Sequence, residues 1–470
     1  MTAIGAHRVA GKSGSGTRLF GALFALAACA TQLYIFHWGV ITPDTVVQYG
    51  QAVTGQYDDW HPPITAWLWR QLLRLGAGRD LGGAPMLMLN IALYWGALLL
   101  IANILARRSG WPAAALMLAL GLLPIPFGEV GSILKDPLLA CLLAMATALI
   151  IARNAGGSIA LALVALPLIV VASATRFNAA FAAAPLVLLL LPVRWTRSVW
   201  RTVVLGLGAA AILAASSWAI NVALLKPHRS QPFLQLVNFD LAGIIAQGGD
   251  NGYPLLSDHA ARRFTAHCYT PALYGARDQD VCAVAEDSLA VFVAQPGESA
   301  TGVWLNAILG SPLAYARHRA AHLNHNWRFM LRTVPNDAVY VMSAPNAFGL
   351  HFTVTPLAKS ISHAAYLTAR SPVGRPISWI MIAIGLLIVA PTLPSRRILT
   401  GLALSALIYG GAYAVVSVAS DLRYNLWTML AGLIGLAVVF AERGRLHPAR
   451  LLVALVPVIV VAWLELRVLA

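Results

Sequence analysis

The chain is poor in charge and above all poor in acid: 11% of its 470 residues are charged, with 18 Asp and Glu against 33 Lys and Arg. Together with 59% hydrophobic residues and a mean hydropathy of +0.71, this excludes a water-soluble globular domain. Four cysteines are too few for a disulfide-dense secreted scaffold. No internal repeat or low-complexity tract interrupts the sequence. Two N-terminal patterns lack what their function would need. The GKSGSG at 11–16 has Ala at position 6, where a phosphate loop needs Gly, and no strand precedes it, so it reads as a basic tail. Leu26-Ala27-Ala28-Cys29 resembles a lipoprotein cleavage box, yet the apolar run continues to Trp38, which predicts an uncleaved first span.

What the chain has in quantity is long apolar stretches with short charged punctuation. These predict an all-α polytopic membrane protein with spans at 18–40, 84–106, 111–128, 134–152, 158–174, 177–193, 201–224, 376–393, 398–419, 424–441 and 450–468, about eleven in all. Four regions follow: a basic tail (1–17), an N-terminal transmembrane module (18–224) with a first outer loop (41–83), a long outer segment (225–375) and C-terminal transmembrane helices (376–470). With the N-terminus in the cytoplasm, the connections holding Arg8, Lys12, Arg107, Arg108, Arg153, Arg194, Arg197, Arg396, Arg397, Arg443 and Arg445 all lie inside. The net charge of +15 then reflects topology and anionic lipid, and no nucleic-acid partner is expected. Cys29 and Cys141 fall within spans, whereas Cys268 and Cys282 share the outer segment and are expected to form a disulfide.

In so acid-poor a chain, three Asp and one His between positions 44 and 61 need a reason. Asp44 follows the first span, and Asp58-Asp59-Trp60-His61-Pro62-Pro63 opens a stretch with Ile64, Trp67, Leu68, Leu72 and Leu75 at helical spacing. This reads as an interfacial amphipathic helix whose N-terminus suits a phosphate. In the plainer reading, Asp58 and Asp59 only cap that helix and Asp44 is a solvated loop residue. Further ionisable residues stand at the outer ends of later spans: Glu129, the Lys135-Asp136 pair, Arg176 with Asn178, and Asp421 with Arg423 and Tyr424. Lys135, Arg176 and Arg423 run against the positive-inside trend, which either an outer phosphate or internal salt bridges would explain. His318, His322 and His325 share one face of another basic helix, with Arg317, Arg319 and Arg328 nearby. No Glu completes a metalloprotease pattern there, and the face is expected to meet lipid headgroups rather than zinc.

Taken in order, these motifs, with the Asn238-Phe239-Asp240-Leu241-Ala242-Gly243-Ile244 stretch and the Asp421-Leu422-Arg423-Tyr424 turn, resemble the integral-membrane GT-C glycosyltransferases of the protein mannosyltransferase and aminoarabinose transferase-like group. The resemblance spans most of the chain. It implies a polyprenyl-phosphate-linked sugar donor, a lipid, glycan or protein acceptor, contact with membrane lipid, and a multi-pass protein of the bacterial inner membrane with its site on the extracytoplasmic face. Asp44 matches the first-loop Asp at the acceptor, where a carboxylate can take the proton of an attacking hydroxyl. Lys135, Arg176 and Arg423 are cast as the cations that hold the leaving phosphate. Glu129, Asp136, Asn178, Asp421 and Tyr424 would support them. Many relatives carry Asp-Glu after the first span, but here Thr45 follows Asp44, so Asp58, Asp59 and His61 remain catalytic candidates. The resemblance implies no definite cofactor, and a divalent metal stays open.

A transporter or lipid flippase is the competing reading, but it would place ionisable groups at mid-membrane in two related halves. A non-catalytic envelope-assembly protein, or another lipid-linked polymer ligase, would be a third. The topology is directly testable. Reporter fusions at Arg108 and Arg397 should report cytoplasm and one at Asp278 the opposite side; the inverse pattern would overturn the threading.

Overall fold

A computed structural model of the chain describes residues 14–76, 81–275, 279–333 and 338–469. Arg8 and Lys12 of the expected tail, the first residues of the GKSGSG stretch, and Asp278 lie outside the described residues. From the N-terminus come α1 (Gly14–Phe36), the short α2 (Pro43–Thr54) and α3 (Ile64–Leu75), then α4 (Ala84–Ser109), α5 (Trp111–Leu120), α6 (Pro124–Val130) and α7 (Lys135–Asn154). After α8 (Ala160–Ala174), α9 (Ala179–Leu190) and α10 (Val199–Trp218), a cap is built from α11 (Pro232–Ala246), α12 (Asp258–Cys268), α13 (Gln279–Val293), α14 (Ala300–Gly310) and α15 (Pro312–Trp327). The chain returns through α16 (Pro356–Ala369) to α17 (Pro376–Val389), α18 (Arg396–Ala412), α19 (Leu426–Ala441) and α20 (Pro448–Leu469). Among the described residues, extended backbone pairs only as isolated bridges.

The protein is an all-α, multi-pass membrane protein. Among the described residues, six apolar segments are long enough to cross a bilayer: Arg18–Phe36, Ala84–Ser109, Lys135–Asn154, Val199–Leu224, Leu422–Ala441 and Pro448–Val468. A seventh arises if α5 and α6 are one span bent by 61°. The about eleven stretches expected from hydropathy each coincide with a helix, but α8, α9, α17 and α18 have only 15, 12, 14 and 17 residues. Hydropathy reports an apolar run and not the length of the helix inside it. Proline explains the bend. Pro124 has no N–H to continue the ladder and drives Leu123 to φ −57, ψ 134, while the freed carbonyl of Gly121 accepts the Tyr94 hydroxyl at 2.8 Å.

At the centre of the bundle lies α7, with a fully buried flank of Leu138, Leu139, Ala140, Cys141, Leu143 and Ala144 packed on α4, α8 and α19. By contrast, α10 and α20 show Leu207, Ile212, Leu452, Val456 and Ile459 on their outer faces, as suits helices whose solvent is lipid. The cap has its own apolar core around Val237, Phe239, Leu241, Tyr253 and Leu289. Cys268 and Cys282 are joined by a disulfide with a Cα–Cα distance of 5.7 Å, tying α12 to α13. A constraint across that separation contributes about 3 kcal/mol on the chain-entropy model.

Two of the three histidines are turned away from the surface of α15, and His325 is half-buried. His318 and His322 are fully buried on the cap side of α15, a correction to the surface expected from their spacing. His318 Nε2 donates to Asp240 Oδ1 at 2.9 Å and its Nδ1 accepts from the Tyr269 hydroxyl at 2.8 Å. The His322 Nδ1–H donates to the Pro271 carbonyl at 2.7 Å, while Nε2 accepts from Asn326 at 3.0 Å. Burial pushes His322 down to about 3, so it stays neutral and keeps that tautomer at physiological pH. The Asp240–His318 contact needs a glycine on α11, because a Cβ at Gly243 would run into the His318 imidazole. Gly243→Ala should therefore cost about 1–3 kcal/mol by overpacking, seen as a lower melting temperature and faster amide exchange in the cap; unchanged protection of 232–246 would refute the packing argument.

Candidate functional site

The site forms where α2 meets the start of α7. Thr42 caps α2 by a reciprocal pair of bonds with Thr45, each 3.2 Å. The Thr45 hydroxyl also donates to the Ile133 carbonyl at 3.2 Å. Just before it, the Val40 N–H donates to Gly131 and the Ile41 N–H to Met342 at 3.1 Å, so the chain leaving α1 lies against the turn that opens α7. That approach requires Gly39: its φ is +93, and a Cβ there would collide with Ile133. The result sets Asp44, in the first turn of α2, beside Lys135 in the first turn of α7.

One guanidinium holds three carboxylates together. Arg423 Nη2 lies 3.3 Å from Asp44 Oδ2 and 2.9 Å from Asp421 Oδ2, and its Nε lies 3.5 Å from Asp136 Oδ2. Asp136 is also ion-paired with Arg176, whose guanidinium stands 4.3 Å above the Tyr424 ring. The Tyr340 hydroxyl donates to Asp421 Oδ1 at 3.2 Å. On the other side Lys135 Nζ is 2.7 Å from His61 Nδ1, and His61 Nε2 is 3.6 Å from Asp44 Oδ1. An ammonium only donates, so Nδ1 accepts and Nε2 carries the imidazole proton toward Asp44.

Exposure singles out one group. The Asp44 side chain is 34% exposed, against 11% for Arg423 and 1% for Asp136. Burial pushes the Asp44 carboxyl up, but neighbouring His61 and the charges of Arg423 and Lys135 outweigh it and hold the group well below the usual carboxylate range. Burial and the Lys135 charge push His61 down, opposed by Asp44. Asp44 is thus an accessible, fixed carboxylate, and His61 a neutral imidazole with its lone pair committed to Lys135.

The remaining candidates divide. Asp58 Oδ1 accepts from the Trp60 N–H at 3.0 Å and Asp59 Oδ1 from the Ser230 N–H at 2.5 Å, so this pair ties the loop between α2 and α3 to the strap before the cap. Neither caps α3: its first N–H donates to Asn221 Oδ1 at 3.0 Å, which also takes up the donor expected to greet a phosphate. Glu129 and Asn178 are buried, with Glu129 Oε2 and Asn178 Nδ2 lacking hydrogen-bond partners. Among the described residues no three His, Cys, Asp or Glu side chains form a metal-holding group.

One partner was not among the residues singled out in the sequence, and two were named there without a role. Tyr340 comes from a stretch without periodicity. Asp240 lies within a recognised stretch but acts in the cap, where it pairs with Arg319 at 2.5 Å and accepts from Trp304 at 2.6 Å. Arg328 ends the histidine helix, yet is 1% exposed. A cation placed directly after a run of helical spacing was the available signal.

No family profile matches the chain, and no curated protein does. It is similar to a solved structure, the crystal structure of ArnT from Cupriavidus metallidurans bound to undecaprenyl phosphate. The match covers 92% of this chain and 79% of that one, at 16% identity and a TM-score of 0.33.

The Lys135–His61 contact makes a titration testable. Lys135→Met removes the positive charge nearest Nδ1, so the His61 midpoint in histidine-selective NMR should move upward. A midpoint that stays put would show that the ammonium does not face the ring.

Proposed function

We propose that the protein is a membrane glycosyltransferase that moves a sugar from a polyprenyl-phosphate carrier to a hydroxyl-bearing lipid, glycan or protein acceptor. One observation carries the reading: an accessible carboxylate, Asp44, at the edge of a half-buried cluster of three cations, at one end of a helical bundle. The order of the motifs supports it. On this reading the acceptor oxygen attacks the anomeric carbon, the bond from that carbon to the phosphate oxygen breaks, and the acceptor proton passes to Asp44. The phosphate leaves with the bonding pair and one more unit of negative charge, which Arg176, Arg423 and Lys135 are placed to offset. The basic connections then lie in the cytoplasm, and the site opens on the extracytoplasmic face of the inner membrane.

A depressed carboxylate is a weak base in the resting enzyme, but it remains ionised. A lowered pKa leaves Asp44 deprotonated well below the ordinary Asp value of about 3.9, so kcat should hold level through mildly acidic pH. Arg423→Gln removes the strongest neighbouring charge and should move the acid limb of the profile upward; an unmoved limb assigns it to another group.

The division of labour predicts distinct kinetics. Asp44→Asn should lower turnover by about 10²–10⁴ with little change in donor binding, since a base acts chiefly in the transition state. Arg176→Ala should weaken donor binding too, by about 2–4 kcal/mol, because the phosphate is charged throughout. Donor affinity and single-turnover rates of the purified variants decide. Near-normal turnover in Asp44→Asn would remove the carboxylate from the chemistry, and unchanged donor binding in Arg176→Ala would make that cation structural.

A further inference from the structure

The three cations named above each have a partner: Lys135 has His61, Arg176 has Asp136, and Arg423 has Asp44, Asp136 and Asp421. Arg328 has none of this kind. Its side chain is 1% exposed, its Nε and Nη2 meet no hydrogen-bond partner, and it belongs to no ion pair of the described residues. The acids whose fields reach it are Asp421 and Glu129. Asp421 is held by Arg423 and Tyr340, and Glu129 Oε2 is itself buried without a partner. Burial lowers the guanidinium to about 10, which leaves it charged at neutral pH. An unpaired buried charge costs several kcal/mol, roughly, unless something compensates it.

The backbone around Arg328 is held as if its position mattered. Arg328 and Met330 both lie in the left-handed region, at φ +55 and +52, which L residues with side chains rarely adopt. Arg375 donates to the Arg328 carbonyl at 2.8 Å and to the Leu331 carbonyl at 2.6 Å. Glu465, ion-paired with Arg375, accepts the Met330 N–H at 2.5 Å. A buried ion pair contributed by α20 and the residue before α17 thus fixes the turn. On the other side, the Asn425 side chain donates to the Asn326 carbonyl at 3.1 Å, which joins the end of α15 to the turn that bears Arg423.

We propose that Arg328 is a further anion-binding residue of this site, which receives a phosphate group beside the Asp421–Arg423 pair. The identification of that phosphate with the carrier's headgroup rests on the glycosyltransferase reading; the need of Arg328 for an anion does not. A guanidinium presents a fork of N–H donors that a phosphate oxygen pair fits, and no carboxylate of the described residues occupies it.

The test uses the full-length protein in nanodiscs of neutral lipid, as wild type, Arg328→Met and Arg328→Lys, titrated separately with decaprenyl phosphate and with inorganic phosphate. Melting temperature is recorded with and without each probe. Arg328→Met should weaken decaprenyl phosphate binding by about tenfold or more, with Arg328→Lys in between, because a lone ammonium keeps the charge and loses the fork. Without a probe, Arg328→Met should melt no lower than wild type, since it removes an unpartnered buried charge. Equal binding in wild type and both variants overturns the proposal. So does a ligand-free melting temperature that falls in Arg328→Met while binding by Arg328→Lys stays normal, which is the mark of a structural arginine. If wild type binds inorganic phosphate in an Arg328-dependent way but ignores decaprenyl phosphate, the anion site stands and the carrier reading falls. If wild type binds neither, both fall.

Discussion

Everything at the candidate site depends on one constraint: the Arg423 guanidinium must be neutralised where water cannot do it. At low effective dielectric a lone guanidinium is costly, and a carboxylate alone no less so. Arg423 meets the requirement by drawing on Asp44 from α2, Asp136 from α7 and Asp421 from its own turn. Because the three acids come from separated parts of the sequence, the pairing closes the bundle at this end. Residues far apart in the chain are held by charge, while the helices behind them are held by packing.

That packing is unusually permissive of close approach. Small residues let helices touch where lipid offers no hydrophobic drive for association: a Cβ at Gly96 would meet Met145 of α7, and one at Gly432 would meet Trp379 of α17. The buried polar side chains of the bundle then serve as local fasteners. Gln32 on α1 donates to the Phe127 carbonyl and accepts from Trp95, and Trp427 donates to Ser405, which in turn donates to Ala182. Such bonds fix which faces meet, and so carry the position of α7, and with it Lys135 and Asp136, to the site.

Much of this was legible in the sequence because apolar length and basic punctuation are local signals. The placement of each apolar stretch on a helix follows from composition, as does the nearness of Asp44, Lys135, Arg176, Asp421 and Arg423, all at the ends of those stretches. What composition could not supply was partner choice. Asp58 and Asp59 are candidates in the sequence by their place after Asp44, and only the fold shows the β-bridge from Asp58 to His228 and the bond from Ser230 to Asp59 that join their loop to the strap before the cap. His318, His322 and His325 share a helical face, and periodicity cannot say whether that face meets lipid or another helix. Its neighbour turned out to be α11, brought close by Gly243.

The same residue types therefore have opposite meanings in the two polar centres, and saturation of their bonds separates them. In the cap, Asp240 satisfies His318, Arg319 and Trp304, His318 has both nitrogens bonded, and the Arg319 Nη1 reaches the Ser417 carbonyl at 2.8 Å. Of these groups only the Arg319 Nε meets neither a hydrogen-bond nor an ion-pair partner, and a network so nearly closed rigidifies its surroundings. At the bundle end the count does not close. Glu129 Oε2, Asn178 Nδ2, both amide atoms of Gln48 and two nitrogens of Arg328 are buried without hydrogen-bond partners, and Asp44 stands half open at the edge. Buried polar groups left unbonded are destabilising in a resting protein, and on the glycosyltransferase reading proposed above these are the groups that a bound polar substrate would satisfy.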